Sequence, residues 1–149
     1  GFILEWAEKN CFSISSTHLY RGEKVPDYLE TDLLVVMGGP MNIYEYNKYP
    51  WLKQEKELLR NVIKSQTPTL GVCLGGQLLA DANGGKVGKT QKPEIGVGFV
   101  EFLPEAKNDS LLSAVVDSPV AIPVPQYHQD AILELPENAK LLVTSDERT

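Results

Sequence analysis

The chain has 149 residues, of which 42% are hydrophobic and 23% charged, with a formal net charge of −6 and a pI of about 4.9. This length and balance suit one soluble globular domain. An acidic chain without a Lys/Arg cluster offers no electrostatic footprint for nucleic acid. No apolar run approaches the ~20 residues needed to cross a bilayer.

Two cysteines, Cys11 and Cys73, do not make a disulfide framework in a chain of this size, which favours a reducing, cytoplasmic setting. Charged residues interrupt the first apolar stretch, GFILEWAEKN, so no signal peptide is predicted. The chain begins in mid-pattern without Met, and we interpret it as part of a longer polypeptide. No motif indicates a metal or a cofactor.

The first third of the chain predicts a helix, two strands and the loops between them. Residues 1–10 have helical apolar spacing, 11–20 alternate as a strand does, and 25–30 predict a turn or short helical piece. Residues 31–39, TDLLVVMGG, form a near-continuous apolar run of the kind found in strands buried on both faces of a parallel sheet. Residues 40–50 predict a loop.

The middle of the chain continues this alternation. Residues 51–66 predict an amphipathic helix, 67–73 a second buried strand, and 75–85 a helix closed by a glycine pair. Residues 87–103 then predict a hairpin or meander, and 121–149 short strands with Pro and Asn turns. The whole predicts an α/β fold with helices on both faces of a mostly parallel sheet and an antiparallel extension.

The motif GVCLGG carries the strongest chemical signal. Gly71, Cys73 and Gly75 fit the G-x-nucleophile-x-G pattern, in which a strained residue at a strand tip needs neighbours without side chains. The thiol then lies at a helix N-terminus that favours thiolate, and the Leu74 N–H can face a developing oxyanion. The alternative is a buried structural cysteine. Cys11 has none of these features and is predicted to be a core residue.

A second glycine motif, MGGPM at residues 37–41, also follows a predicted buried strand. Loops at this edge of an open α/β sheet form the ligand crevice, and a glycine there can offer its N–H without steric hindrance. The motif therefore predicts the second half of an oxyanion hole. A plain turn is the alternative, since Gly-Pro is common in turns.

The stretch GVCLGGQ resembles the G-x-C-x-G-x-Q signature of class I (triad) glutamine amidotransferases, and MGGPMNIYE resembles the oxyanion loop of that family. KPEIGVGFV and QYHQDAILELPENAKLLVTSDE resemble stretches of stand-alone members similar to the amidotransferase domain of GMP synthase. The resemblance covers nearly all of the chain from about residue 30. It implies a flavodoxin-like, three-layer fold and one amidotransferase-like domain over residues 1–149, lacking its first strand and its C-terminal catalytic segment.

The resemblance also implies roles for individual residues. Cys73 is the implied nucleophile, Gly39 and Leu74 are the implied oxyanion donors, and Gln77 is implied to hold the amino-acid end of the substrate. The other implied substrate-binding residues are Met41, Tyr127, His128, Gln129 and Asp130. No cofactor and no metal are implied.

A cysteine nucleophile needs an imidazole to hold its proton and to protonate the departing ammonia. The chain has His18 and His128, and the order of residues favours His128, which follows the nucleophile and has Asp130 nearby. The resemblance favours another assignment, because the family's catalytic His and Glu lie further on, in a His-Pro-Glu-like stretch not found before Thr149. We therefore expect His128 to line the pocket, the catalytic pair to lie beyond residue 149, and His18 to be structural or on the surface.

The implied activity is hydrolysis of glutamine through a γ-glutamyl thioester, with ammonia passed to a synthetase partner. A hydrolase of γ-glutamyl peptides fits the same residues, and a non-catalytic relative that binds a ligand or partner is an alternative of a different class. A redox protein with a reactive cysteine explains neither Gln77 nor the MGGP loop. Neither nucleic acid nor a membrane is expected as a partner.

Overall fold

The computed structural model describes residues 1–116 and 121–145, so the last four residues of the predicted C-terminal strands lie outside the described residues. Its α-helices are α1 (Phe2–Lys9), α2 (Trp51–Ser65) and α3 (Leu74–Ala82). Its strands are β1 (Leu34–Val36), β2 (Thr69–Gly71), β3 (Lys86–Phe102), β4 (Ile122–Glu134) and β5 (Val143–Ser145). Within these ranges, no helix is long and apolar enough to span a membrane.

The first half of the fold is a β-α-β unit. Strands β1 and β2 pair in parallel from Leu34–Thr69 to Val36–Gly71, and α2 connects them. The Val72 N–H donates to the Val36 carbonyl at 2.9 Å, which extends the pairing up to the next residue, Cys73. The predicted α/β class is thereby confirmed, and both strands end at the same edge of the sheet.

The core of this half lies between β1, α2 and α3. The helical spacing predicted for residues 51–66 is confirmed, since α2 turns one face inward and its last turn ends at Ser65. The cluster consists of Val36, Ile43, Leu52, Leu58, Leu59, Val62, Leu74 and Leu78. Burying each of the large aliphatic side chains contributes roughly 1.5–3 kcal/mol.

The opposite face of the two parallel strands is not covered by the described residues. Leu33, Met37 and Leu70 are 46%, 56% and 48% exposed, whereas Leu34 and Val36 contact the core. The prediction that residues 31–39 form a strand buried on both faces is therefore wrong, and the second predicted buried strand is likewise exposed at Leu70. The cause is that α2 and α3 contribute to a single cluster and pack on one face of the strands.

The second half is a three-stranded antiparallel sheet in the order β4-β3-β5. The hairpin or meander predicted over residues 87–103 is wrong, because this stretch belongs to one long strand that pairs with β4 and β5 further along the chain. Alternating polar and apolar residues predict extended structure correctly, but the position of a distant partner cannot be read from them. The extension predicted as antiparallel is confirmed.

The segment after α1 differs most from the sequence-based expectation. No strand forms over residues 11–20, and Cys11, predicted to be a core residue, is exposed with a φ of +60°. The Phe12 N–H donates to the Ala7 carbonyl at 2.9 Å, a bond that closes a helix end with Cys11 in the left-handed conformation. Cys11 is exposed because it ends a helix. Helix α3 also ends with a residue in the left-handed conformation, Gly84, with a φ of +91°. The predicted glycine closure is therefore confirmed.

Candidate active site

Cys73 lies on a sharp turn between β2 and α3. Its φ of +53° and ψ of −115° are conformations that side chains with a Cβ rarely adopt. The Gly75 N–H donates to the Val72 carbonyl at 2.9 Å and the Gln77 N–H to the Cys73 carbonyl at 3.1 Å, so the helix begins directly after the thiol. Cys73 is exposed, which confirms the predicted bend and excludes the buried structural cysteine.

The two glycines that flank Cys73 are required by close backbone contacts. A Cβ on Gly75 would lie 2.1 Å from the Val36 carbonyl oxygen, and a Cβ on Gly71 would lie 2.6 Å from the Gly76 nitrogen. Neither backbone atom can move away as a flexible side chain could. The G-x-C-x-G spacing is therefore a steric requirement of the bend.

The glycine loop after β1 lies against this bend. A Cβ on Gly38 would be 3.0 Å from the Cys73 Cβ and 3.6 Å from its Sγ, and a Cβ on Gly39 would be 3.3 Å from Cδ2 of Leu74. The Met41 methyl packs beside Gly39, where it would lie 3.0 Å from such a Cβ. Sequence reasoning selected Gly39 and missed Gly38, although the doublet in MGGPM was a signal for both.

Backbone donors are present in the loop and in the helix that meet at the bend. In the part of the chain that the structure describes, the N–H groups of Gly38, Gly39 and Leu74 have no backbone hydrogen-bond acceptor. Leu74 is also the first residue of α3, where the helix dipole adds a partial positive charge. Backbone N–H groups without acceptors at a helix N-terminus are an arrangement that can bind an anion.

Gln77 and Asp130 join the two halves of the fold. The Gln77 Nε2 donates to the Asp130 carbonyl at 2.7 Å, across 53 positions of sequence. The Asp130 side chain is 3% exposed; its Oδ1 accepts a long hydrogen bond from the Tyr44 hydroxyl at 3.4 Å, and Oδ2 is buried without a hydrogen-bond partner among the described residues. Burial raises the pKa of Tyr44, and the bond to Asp130 adds to this rise.

Strand alternation divides the predicted stretch of β4 between two faces. His128 and Asp130 are more buried, whereas Tyr127 is 83% exposed and Gln129 is exposed. The structure therefore places the side chains of His128 and Asp130 on one face of β4, and Gln77 binds the backbone of Asp130. It separates the side chains of Tyr127 and Gln129 from them, so that only the backbone of these two residues can share that face.

His128 is held by a neighbouring strand. Its Nε2–H donates to Oε2 of Glu94 at 2.6 Å, and the Ser145 hydroxyl donates to the other carboxylate oxygen at 2.9 Å. His18 lies in the N-terminal segment, where its ring contacts Tyr20. Among the described residues, no group of His, Cys, Asp and Glu side chains could hold a metal ion.

Comparison with known proteins gives consistent results. The family described as glutamine amidotransferase class-I matches residues 9–149. The chain is 33% identical over 150 residues to the glutamine amidotransferase-like protein YfeJ of Salmonella typhimurium. The aligned region covers 98% of this chain and 61% of YfeJ. A crystal structure of a glutamine amidotransferase from Thermotoga maritima superposes with a TM-score of 0.86 at 33% identity, covering 98% of this chain and 61% of the other.

Two relatives with more specific names match shorter regions. γ-Glutamyl peptidase 4 of Arabidopsis thaliana is 36% identical over 97 residues, which are 64% of this chain and 38% of the peptidase. One subunit of the glutamine-hydrolysing GMP synthase of Pyrococcus abyssi is 36% identical over 91 residues, 61% of this chain and 45% of that relative. The chain thus spans less than two thirds of the length of each of these relatives. It belongs to the class I glutamine amidotransferase family.

Proposed function

We propose that the protein containing this chain hydrolyses the side-chain amide of glutamine, or of another γ-glutamyl compound, through a thioester on Cys73. One observation carries the proposal. The exposed thiol, at a φ of +53°, directly precedes α3, and the loop of Gly38 and Gly39 packs against Cys73 and Leu74. Strained backbone conformations of this kind cluster at active sites and ligand-binding sites.

The proposed first step is attack of the Cys73 thiolate on the γ-carbonyl carbon. A C–S bond forms, and the carbonyl π electrons move to the oxygen, which accepts hydrogen bonds from the N–H groups of Gly39 and Leu74. When the carbonyl re-forms, the C–N bond breaks, and the nitrogen takes a proton and leaves as ammonia. Water then attacks the thioester, the C–S bond breaks, and glutamate and the free thiol are released.

The proton acceptor of the proposed reaction is a histidine beyond residue 149, oriented by a glutamate, as the family resemblance implies. His128 is the alternative within the chain. Its Nε2 already donates to Glu94, and it lies on the strand that carries Asp130. We therefore assign His128 to the lining of the pocket.

The amino-acid end of the substrate is proposed to lie between Gln77 and Asp130. A buried carboxylate oxygen without a partner is costly, and an ammonium group is a complementary partner for it. The α-ammonium of glutamine carries such a charge. His128 and the backbone of Tyr127 and Gln129 complete the proposed lining.

At the opposite end of the substrate, Met41 is proposed to contact the bound molecule beside Gly39. No cofactor is needed for the proposed steps. We place residues 1–149 in a single amidotransferase domain of a cytoplasmic protein.

The ammonia is proposed to pass to a synthetase, as the relationship to the GMP synthase of Pyrococcus abyssi favours. The relationship to γ-glutamyl peptidase 4 favours a second candidate, cleavage of γ-glutamyl peptides by the same cysteine. The two differ only in the leaving group, an ammonia molecule or an amine. The same preparation can therefore be tested for both.

The test uses the full-length protein and the glutamine analogue diazo-norleucine. We expect mass spectrometry to find the label on the peptide that contains Cys73, and expect glutamate release from glutamine or a γ-glutamyl dipeptide. Cys73→Ser should lower this release at least about a thousandfold. Cys11→Ser, at the other exposed cysteine, is the matched control and should have wild-type activity. Label on another residue, or none, would show that the chain is a non-catalytic relative.

A further inference from the structure

The pairing of β3 with β4 is interrupted beside the proposed ammonium site. The residue pairs on either side of the break are Lys89–Asp130 and Glu94–His128. Between these pairs β3 advances five positions and β4 two, so β3 contains three additional residues, which form a bulge opposite Gln129. Bulges of this kind redirect side chains and end regular pairing, and they are common beside active sites.

Side chains hold β4 where the regular pairing is lost. Thr90, in the bulge, donates through its hydroxyl to the Gln129 carbonyl at 3.0 Å. On the other side, Gln77 donates to the Asp130 carbonyl at 2.7 Å. The backbone of two consecutive residues of β4 is thus fixed by side chains from two different elements.

Glu94 supplies the third connection, and it is the first residue of β3 to pair after the bulge. Its carboxylate binds His128 at 2.6 Å through one oxygen and Ser145 at 2.9 Å through the other, so it joins all three strands of the sheet. The Glu94 side chain is 14% exposed and that of His128 27%. Charge-assisted hydrogen bonds of this length, partly removed from water, are stronger than neutral ones.

We infer that Glu94 is a positioning residue: by holding His128 opposite the end of the bulge, it keeps the Asp130 carboxylate in place for the ammonium group of the substrate. The inference rests on the proposed function. Asp130 carries a buried oxygen without a hydrogen-bond partner among the described residues. Turning this oxygen toward water would lower the free energy of the strand, so neighbouring contacts must hold the side chain in place. A site held in advance loses less free energy when the substrate binds.

This role predicts an effect on binding more than on the chemical step. Glu94 is not placed at the reacting atoms. Its loss should therefore weaken binding of the substrate and binding of the transition state by the same factor. In the full-length protein, Glu94→Ala should raise the half-saturating concentration of diazo-norleucine for labelling of Cys73 about tenfold, with the maximal labelling rate within about twofold of wild type.

A second reagent and a second variant separate positioning from a general loss of structure. Iodoacetamide carries no ammonium group, so it should alkylate Cys73 of Glu94→Ala at the wild-type rate. Glu94→Gln keeps oxygen and nitrogen atoms that can bond to His128 and Ser145, and should raise the half-saturating concentration only about threefold.

The matched control is Glu134→Gln, because Glu134 forms a cross-strand ion pair with Lys86 at 2.8 Å in the same two strands and is exposed. Glu134→Gln should leave the reaction of Cys73 with both reagents unchanged.

Each other outcome has a definite meaning. The inference is overturned if diazo-norleucine half-saturates both Glu94 variants at the wild-type concentration. It is also overturned if reactivity toward iodoacetamide falls as much as labelling by diazo-norleucine, because the defect would then lie at the bend. If Glu94→Ala does not fold, the half-saturating concentration of diazo-norleucine for Glu94→Gln is the deciding measurement. A value equal to that of the wild type then refutes the inference. If the wild-type protein is not labelled by diazo-norleucine, the proposed function itself fails and the inference with it.

Discussion

The two halves of the molecule are built by different forces. The β1-α2-β2-α3 half surrounds a buried aliphatic cluster, whereas the β3-β4-β5 half is held mainly by strand pairing and leaves large apolar side chains such as Val97 at 72% exposure. The first half supplies the strained cysteine and the free N–H groups. The second supplies the buried carboxylate and the strand opposite the bulge. Under the proposed function, the half with the buried cluster holds the cysteine, and the half with interrupted pairing binds the amino-acid end of the substrate.

The largest expected effect concerns the rigid half. Gly75→Ala should destabilise the protein by about 3 kcal/mol or more, because its Cβ would lie 2.1 Å from a backbone oxygen of Val36 that has no room to move. Gly76→Ala is the control, since its Cβ would lie 3.3 Å from the nearest atom, the Gly71 carbonyl oxygen, and should change stability by less than about 1 kcal/mol. Urea unfolding measures both. Equal midpoints for the two variants would mean that the bend tolerates side chains.

A smaller effect should distinguish one ion pair in each half. Lys56 and Asp81 connect α2 to α3 with side chains 16% and 21% exposed, whereas the Lys86 and Glu134 side chains are 65% and 68% exposed. A double-mutant cycle should give a coupling of about 1 kcal/mol for the first pair, because it is shielded from water. The second pair should show no measurable coupling at physiological salt. Similar couplings in both would contradict the proposed difference between the halves.

The smallest expected effect is a change in pH dependence at α2. Burial raises the pKa of Glu55 above its ordinary value of 4.5, so folding favours the protonated form. Its contribution to stability is fully present below the unfolded-state pKa and is lost as the pH rises through the raised pKa of the folded state. Glu55→Gln should therefore raise the Tm slightly at pH 7 and flatten its decline between pH 4 and pH 7.

The control for this variant is Glu57→Gln, on the same helix and exposed, which changes the net charge by the same amount. An identical Tm profile for the two glutamine variants would assign the effect to net charge and not to burial.

Features that depend on neighbours in the chain could be predicted. The amphipathic spacing of α2 and the glycine closure of α3 follow from residues within about one or two helical turns, where sterics and local hydrogen bonds decide. The bend at Cys73 is recognisable from its short glycine motif, although Gly75 is required by its contact with Val36 on β1. The same local logic failed for residues 11–20. There the apolar alternation favoured a strand, but the end of α1 and a stack of Phe12 on Trp6 formed instead.

Contacts between distant residues were decided by the tertiary structure. The Gln77–Asp130 bond spans 53 positions and the Tyr44–Asp130 contact 86, and the pairing of Glu94 with His128 depends on the length of a bulge. One residue more or fewer in that bulge would move every following side chain of β3 to the other face. The residue types and their order are enough to predict a cysteine on a strained bend, because the glycine motif that signals the bend lies within five residues. Which residue of β4 binds Gln77 depends on the register of strands that meet only after folding.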